Sequence, residues 1–145
     1  PVHAFVGHSA GGLTMMAARL AAEKYVCICA PSYPFPPLRR VKAILAPSEA
    51  IMVRYENYLA EEFSMPWDAL KNGESFSCAG DDLLLIYEER DRFIPHTEGD
   101  RIHAMCPNSK LLKTNAYGHQ KILVASELAV TIHGFINPKS SCGTQ

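Results

Sequence analysis

The sequence predicts an α/β protein, a parallel β-sheet covered by helices on both faces. Two observations carry this. Short apolar runs of strand length alternate with stretches in which apolar residues recur every three or four positions. The runs are also apolar nearly throughout instead of alternating with polar residues, as strands buried on both faces are. In such a sheet, functional residues gather just beyond the carboxyl ends of the strands.

Residues 2–6 form the first strand-like run, and Gly7-His8-Ser9-Ala10-Gly11-Gly12 closes it. Leu13, Met16, Ala17, Leu20 and Ala21 then share one face of a helix over 13–22. Residues 25–40 carry Pro31, Pro34, Pro36 and Pro37, which speaks against a continuous helix and for a long connection. The apolar start of this stretch, 25–30, reads either as a short strand or as packing beneath a loop. Residues 41–46 read as a strand ended by Pro47-Ser48. Ile51, Tyr55, Tyr58, Leu59 and Glu62 follow at helical spacing, and a short helix over 65–71 stops at Asn72-Gly73.

The stretch from about 48 to 80 is longer than a plain crossover needs, and it reads as a small helical lid. Within it Met52, Tyr55, Tyr58, Phe63, Met65 and Trp67 would either line an apolar substrate channel or pack the lid onto the body. Met52, Tyr55 and Trp67 are the candidate substrate-binding residues. Residues 83–87 are the next strand, followed by the polar turn 88–92 and Phe93-Ile94-Pro95. A helix capped by Thr97 runs to Met105, residues 110–114 are the last strand, and 115–119 are a loop. Ile122, Ala125, Leu128, Ala129, Ile132 and Phe135 mark a terminal helix. Residues 1–136 thus read as one domain and 137–145 as a flexible tail.

Composition narrows the function. Fourteen Lys and Arg against fifteen Asp and Glu give a net charge of −1, which offers no electrostatic footprint for nucleic acid or a membrane surface. No apolar run reaches the ~18 residues that span a bilayer. The five cysteines, Cys27, Cys29, Cys78, Cys106 and Cys142, are odd in number and lack paired Cys-X-X-Cys spacing. They read as reduced thiols of a cytoplasmic protein. Cys27 and Cys29, alternate residues of a strand pointing the same way, have no matching His or Cys pair downstream, so no metal site is expected.

The opening motif carries the chemistry. Gly-X-Ser-X-Gly arises by chance in roughly one chain in 20 of this length, so its context must support it. Here it closes an apolar strand and opens a helix, the setting of a nucleophile elbow. The turn demands small residues, which Gly7 and Gly11 supply. Ser9 is then the candidate nucleophile. The amide of Ala10, at the helix start, is a candidate donor to an oxyanion. Asp91 and His119 each follow a strand; alone, each reads as a turn former or a cap.

Gly7-His8-Ser9-Ala10-Gly11-Gly12, Asp91-Arg92-Phe93-Ile94-Pro95 and Gly118-His119, in this order, resemble the α/β-hydrolase superfamily, and the likeness covers nearly all of residues 2–136. Residues 83–136 are most similar to a group of little-characterised bacterial-type serine hydrolases. The resemblance implies that Ser9 is the nucleophile, His119 the general base and Asp91 the carboxylate that orients it. Glu49, Glu88 and Glu89 compete for the role of the acid, and His96, His103 and His133 for that of the base. His8 would support the site from beneath.

The resemblance also implies a partial fold that opens at the fifth of about eight strands. The loop giving the second oxyanion donor would then be missing, a loss of roughly 100- to 1000-fold in rate. The first strand would keep an unpaired apolar edge. The expected activity is cleavage of a carboxylic ester, thioester or amide of a small-molecule acyl substrate through an acyl-enzyme, with no cofactor. An acyltransferase on the same scaffold, or a truncated remnant acting as a binding module, are the alternatives.

Overall fold

The computed structural model describes residues 2–77 and 82–138. Cys78, Cys142 and the expected tail beyond residue 138 lie outside them. Four strands, β1 Val2–His8, β2 Ala22–Ile28, β3 Leu83–Glu88 and β4 Lys110–Thr114, pair in chain order, every pair parallel. The segment left open at 25–30 therefore contains a strand, which begins at Ala22.

All six residues of β3 are buried, as a central parallel strand requires. Its alternate side chains enter two cores. Leu83, Leu85 and Tyr87 pack with Leu13, Met16, Phe76 and Ile102 on one face. Leu84 and Ile86 pack with Val26, Ile122 and Leu128 on the other. Helices α1 Ala10–Ala17 and α5 Thr97–Met105 cover the first face, and α7 Ser126–Ile136 covers the second.

Several expected elements are corrected. Helix α1 ends before Leu20 and Ala21, because Arg19 adopts a left-handed φ of 49°. The Tyr25 hydroxyl then holds the turn, donating to the Leu20 carbonyl at 2.7 Å and accepting the Ala22 N–H at 3.0 Å. The expected strand at 41–46 is instead the end of a helix, α2 Phe35–Leu45. Pro36 and Pro37 fall in its first turn, where a missing N–H costs nothing, so the prolines start this helix instead of preventing it. Ile44 and Leu45 are 66% and 70% exposed, the reverse of a buried strand.

Helix α3 Glu49–Glu62 and α4 Trp67–Lys71 follow as expected. Together with α2 they occupy the connection from β2 to β3, so the helical excursion starts well before residue 48. Thr97 is the first residue of α5 and not its cap; His96 holds the position before it, with no side-chain capping bond. The terminal helix is divided into α6 Gly118–Lys121, a 3-10 turn at Ile122–Val124 and α7, with Ala125 extended between the last two.

Among the described residues β1 is an edge strand, with Val2 44% and Val6 52% exposed. No helix among them is long and apolar enough to cross a membrane.

Tyr87 ties the sheet to the loop after β2. Its fully buried hydroxyl donates to the Ala30 carbonyl at 2.5 Å. Tyr87→Phe leaves that buried carbonyl unpaired, and urea unfolding should show a loss of about 1–3 kcal/mol. An unchanged stability would mean that the bond contributes nothing net.

Candidate active site

The end of β1 and the start of α1 approach so closely that the turn between them has little choice of side chain. A Cβ on Gly7 would lie 2.6 Å from the Gly12 Cα and 2.8 Å from the Gly11 carbonyl oxygen. A Cβ on Gly12 would lie 2.7 Å from the Ala30 Cβ, whereas one on Gly11 would meet nothing within 4 Å. The crowded pair is therefore Gly7 and Gly12, which corrects the expectation for Gly11. Ser9 sits between them at φ 53°, ψ −126°, a left-handed φ that a side-chain-bearing residue adopts only under constraint. Its N–H donates to the Ile28 carbonyl at 2.8 Å, and its own carbonyl accepts the Gly12 N–H at 3.1 Å.

The turn after β3 delivers Asp91. Its N–H donates to the Glu88 carbonyl at 3.0 Å, and its Oδ1 accepts the amides of Phe93 at 2.7 Å and Ile94 at 2.9 Å. Oδ2 is left to accept a bond from His119 Nδ1 at 2.5 Å. A carboxylate can only accept, so Nδ1 carries a proton, and in the neutral ring Nε2 then presents a lone pair. That lone pair faces Ser9 Oγ at 3.1 Å. The Asp91 side chain is fully buried and that of His119 is 12% exposed. Residues that the sequence brought forward separately thus form one hydrogen-bonded line of Ser9, His119 and Asp91, across three loops at the carboxyl ends of β1, β3 and β4. Ala10 is the first residue of α1, where a helical N–H has no partner within the helix.

His119 is held from two more sides. His8 Nε2 donates to the His119 carbonyl at 2.8 Å, with the rings 4.6 Å apart, and the exposed Phe93 ring lies 5.3 Å away. Gly118, at φ 73°, makes the left-handed turn that introduces the histidine. Burial, and secondarily the neighbouring His119, hold His8 below its ordinary value against the opposing pull of the carbonyl bond and Asp91, so His8 stays neutral near neutral pH.

Cys29, just past β2, takes a left-handed φ of 47° and enters the core opposite to that of Cys27. The two thiols therefore do not point the same way, as a continuous strand would have had them. Cys29, Asp91 and His119 are the one group among the described residues with at least three potential metal-ligating atoms close together, within 4.8 Å of one another. Burial, with help from Asp91, pushes the Cys29 thiol up to about 12, so it is protonated, and Asp91 and His119 already satisfy each other.

The competing residues lie elsewhere. Glu49 is exposed at the start of α3, and Glu89 is exposed in the turn. Glu88 is buried but bonds to Thr114 and to backbone amides. His96 meets Lys113 Nζ at 3.2 Å, His103 meets Ser109 Oγ at 2.8 Å, and His133 is exposed on α7. The three lid candidates are not brought together. Met52 lines a cleft of about 670 Å³ with Tyr33, Phe35 and Leu38. Trp67 packs edge-on against Tyr33 at 6.1 Å. Tyr55 opens onto a different cleft, with Val41, Ile51 and Arg54. Tyr33, in the cleft with Met52, falls in the proline-bearing stretch 25–40, where no helical or strand periodicity singles it out.

No protein-family model and no curated protein sequence matches the chain. Solved structures do. An esterase of Pyrococcus furiosus is similar over 92% of this chain and 52% of its own, at 21% identity and a TM-score of 0.58. A meta-cleavage product hydrolase of Pseudomonas fluorescens is similar over 91% and 63%, at 17% identity and a TM-score of 0.56. An α/β-hydrolase from a Medee basin deep-sea metagenome library is similar over 98% and 67%, at 13% identity and a TM-score of 0.60. The chain has part of the α/β-hydrolase fold, and it spans between about half and two thirds of the length of these structures.

The elbow and His8 are each open to a direct measurement. Gly7→Ala should destabilise the protein by about 1–3 kcal/mol in thermal or urea unfolding, whereas Gly11→Ala should stay within about 0.5 kcal/mol. Equal effects would mean that the elbow is not crowded on one side. Because folding lowers the His8 value from 6.5, the stability linked to it is complete above that pH and is lost as the pH falls. Unfolding measured from about pH 7.5 to 5.5 should therefore show a smaller decline in His8→Gln than in the wild type. Parallel declines would contradict this.

Proposed function

We propose that this chain carries the nucleophile, base and acid of a serine hydrolase that cleaves a carboxylic ester, thioester or amide through an acyl-enzyme. The observation that carries the reading is the line from Ser9 Oγ to His119 Nε2 at 3.1 Å and from His119 Nδ1 to Asp91 Oδ2 at 2.5 Å, beginning at a serine with left-handed backbone. The structural neighbours that are esterases and hydrolases support it.

In this reading Ser9 Oγ attacks the substrate carbonyl while His119 Nε2 takes its proton. Asp91 accepts from Nδ1 throughout, which fixes the tautomer and stabilises the imidazolium. The negative charge forming on the carbonyl oxygen is met by the Ala10 N–H and the amino end of α1. Collapse expels the leaving group, which takes the proton from His119. Water, deprotonated by the same imidazole, then attacks the acyl-Ser9 ester, and the proton returns to Ser9 as the acid is released. Every step uses groups of the chain and water, so the reading requires no metal or organic cofactor.

The helices between β2 and β3 act as the lid. The cleft at Met52, Tyr33, Phe35 and Leu38, whose rim also carries Arg39, Lys42, Glu49 and Glu56, is the surface offered to the acyl substrate, and Trp67 packs edge-on against Tyr33. Tyr55 lies on another cleft.

A fluorophosphonate probe tests this. The wild-type chain should label at one serine, and Ser9→Ala and His119→Ala should abolish labelling. Asp91→Asn should slow it by about 10⁴-fold, because the asparagine amide favours the wrong tautomer. A folded wild-type chain that does not label, or one whose labelling survives Ser9→Ala, would refute the proposal.

A further inference from the structure

Glu88, the last residue of β3, is fully buried, and a charged carboxylate survives there only with donors around it. It has four. Oε2 accepts from Thr114 Oγ1 at 2.7 Å, from the Tyr117 N–H at 3.1 Å and from the Ala116 N–H at 3.2 Å. Oε1 accepts the Arg90 N–H at 3.2 Å. Burial alone would raise this carboxyl, but the bonds from Thr114, Tyr117, Arg90 and Ala116 outweigh it and hold the group below the usual range. Glu88 is thus an ionised acceptor at neutral pH.

The positions of the four donors matter more than their number. Arg90 immediately precedes Asp91, and Ala116 and Tyr117 immediately precede Gly118-His119. Thr114 is the last residue of β4. One side chain therefore grips the segment that delivers the acid and the segment that delivers the imidazole. The backbone of the same turn reinforces this, with the Glu88 carbonyl accepting from Asp91 N–H at 3.0 Å and Glu89 N–H donating to the Thr114 carbonyl at 2.7 Å. The bonds of Glu88 go to Thr114 and to backbone amides, and it is Asp91 that bonds the imidazole.

We infer that Glu88 is a positioning residue for His119: its buried carboxylate fixes the separation of the two loops so that the imidazole meets Asp91 and Ser9 at once. The inference rests on the hydrolase reading for its consequence in rate, and on geometry alone for its consequence at the imidazole. Glu88→Gln keeps the volume but replaces one acceptor oxygen with an NH₂ group that faces N–H donors. With its oxygen turned to Thr114, Ala116 and Tyr117, the amide sets its NH₂ against the Arg90 N–H, which pushes the Asp91 segment away and loosens the orientation of His119.

The test compares wild type, Glu88→Gln, Thr114→Val and, as a control, Glu89→Gln, whose side chain is exposed one residue further on. Two readouts are taken on the full chain, the rate of fluorophosphonate labelling and the ¹⁵N NMR signature of the His119 ring, which reports whether the proton stays on Nδ1. Ring signals are assigned with His119→Ala and His8→Gln, since His8, Asp91 and Cys29 are the titratable groups that crowd this imidazole.

Glu88→Gln should slow labelling by about 10- to 100-fold, the range seen when a hydrogen-bond partner that orients a metal-bound histidine is removed, and should give a mixture of ring tautomers. Thr114→Val removes one donor and should move both readouts less, in the same direction. Glu89→Gln should move neither. A wild-type ring signature and labelling rate in a folded Glu88→Gln would overturn the inference and leave the hydrolase reading standing. If Glu88→Gln does not fold, Thr114→Val decides by the same criterion. If the wild-type chain does not label at all, the hydrolase reading falls, and the tautomer comparison alone decides whether Glu88 positions the ring.

Discussion

The contact on which the rest of the site depends is the approach of Gly7 to Gly12. It brings the amino end of α1 against the end of β1 and leaves Ser9 with a left-handed φ of 53°. Such a backbone costs about 1–3 kcal/mol and persists only where its surroundings determine it. Here the surroundings are the neighbouring strand, whose Ile28 carbonyl takes the Ser9 amide, and Ala30, whose side chain leaves no room at Gly12. The serine is thus held by the sheet as well as by its own turn.

The other two members of the line are secured in a different way. Asp91 is fixed by two amides of its own turn, and His119 by a carbonyl bond from His8 and by the left-handed Gly118 before it. The Asp91 bonds are local and the His8 bond reaches His119 from the end of β1, so none of them sets the distance between the loops after β3 and β4. Parallel strands supply that distance coarsely, because β3 and β4 keep a constant spacing through the register Glu88 to Thr114. Hydrogen bonds at the end of that ladder refine it, and they fall where the strands stop and the loops begin.

The strands at 2–6, 83–87 and 110–114 were legible, 83–87 because its apolar run is unbroken and the other two from shorter apolar cores next to turn or helix-end signals, and so was the order Ser9, Asp91, His119. Illegibility had particular causes. Prolines at 36 and 37 signal a break to any reading that does not know where a helix begins, yet they occupy its first turn. The run 41–46 has the composition of a strand, but it lies on a helix with its end exposed, because no neighbouring strand is there to pair it. Cys29 leaves the period of β2 because its backbone turns left-handed, which alternation cannot foresee. The clash at Gly12 comes from Ala30, a residue distant in sequence, so pentapeptide spacing alone pointed to Gly11.

Ser9 and His119 are 110 residues apart in the chain and meet only through a sheet whose strands pair consecutively, β1 to β2 to β3 to β4. Their hydrogen bond therefore closes only when every ladder between them has formed, including the one that must wait for the long helical excursion between β2 and β3 to be spanned. A chain that has paired its first two strands already has the elbow, but its serine lacks the bond to His119 and, on the proposed reading, is as inert as any surface hydroxyl. In the proposed hydrolase, reactivity at Ser9 would thus report completion of the four-stranded sheet of the described residues, and a nascent or half-unfolded molecule would be spared acylation.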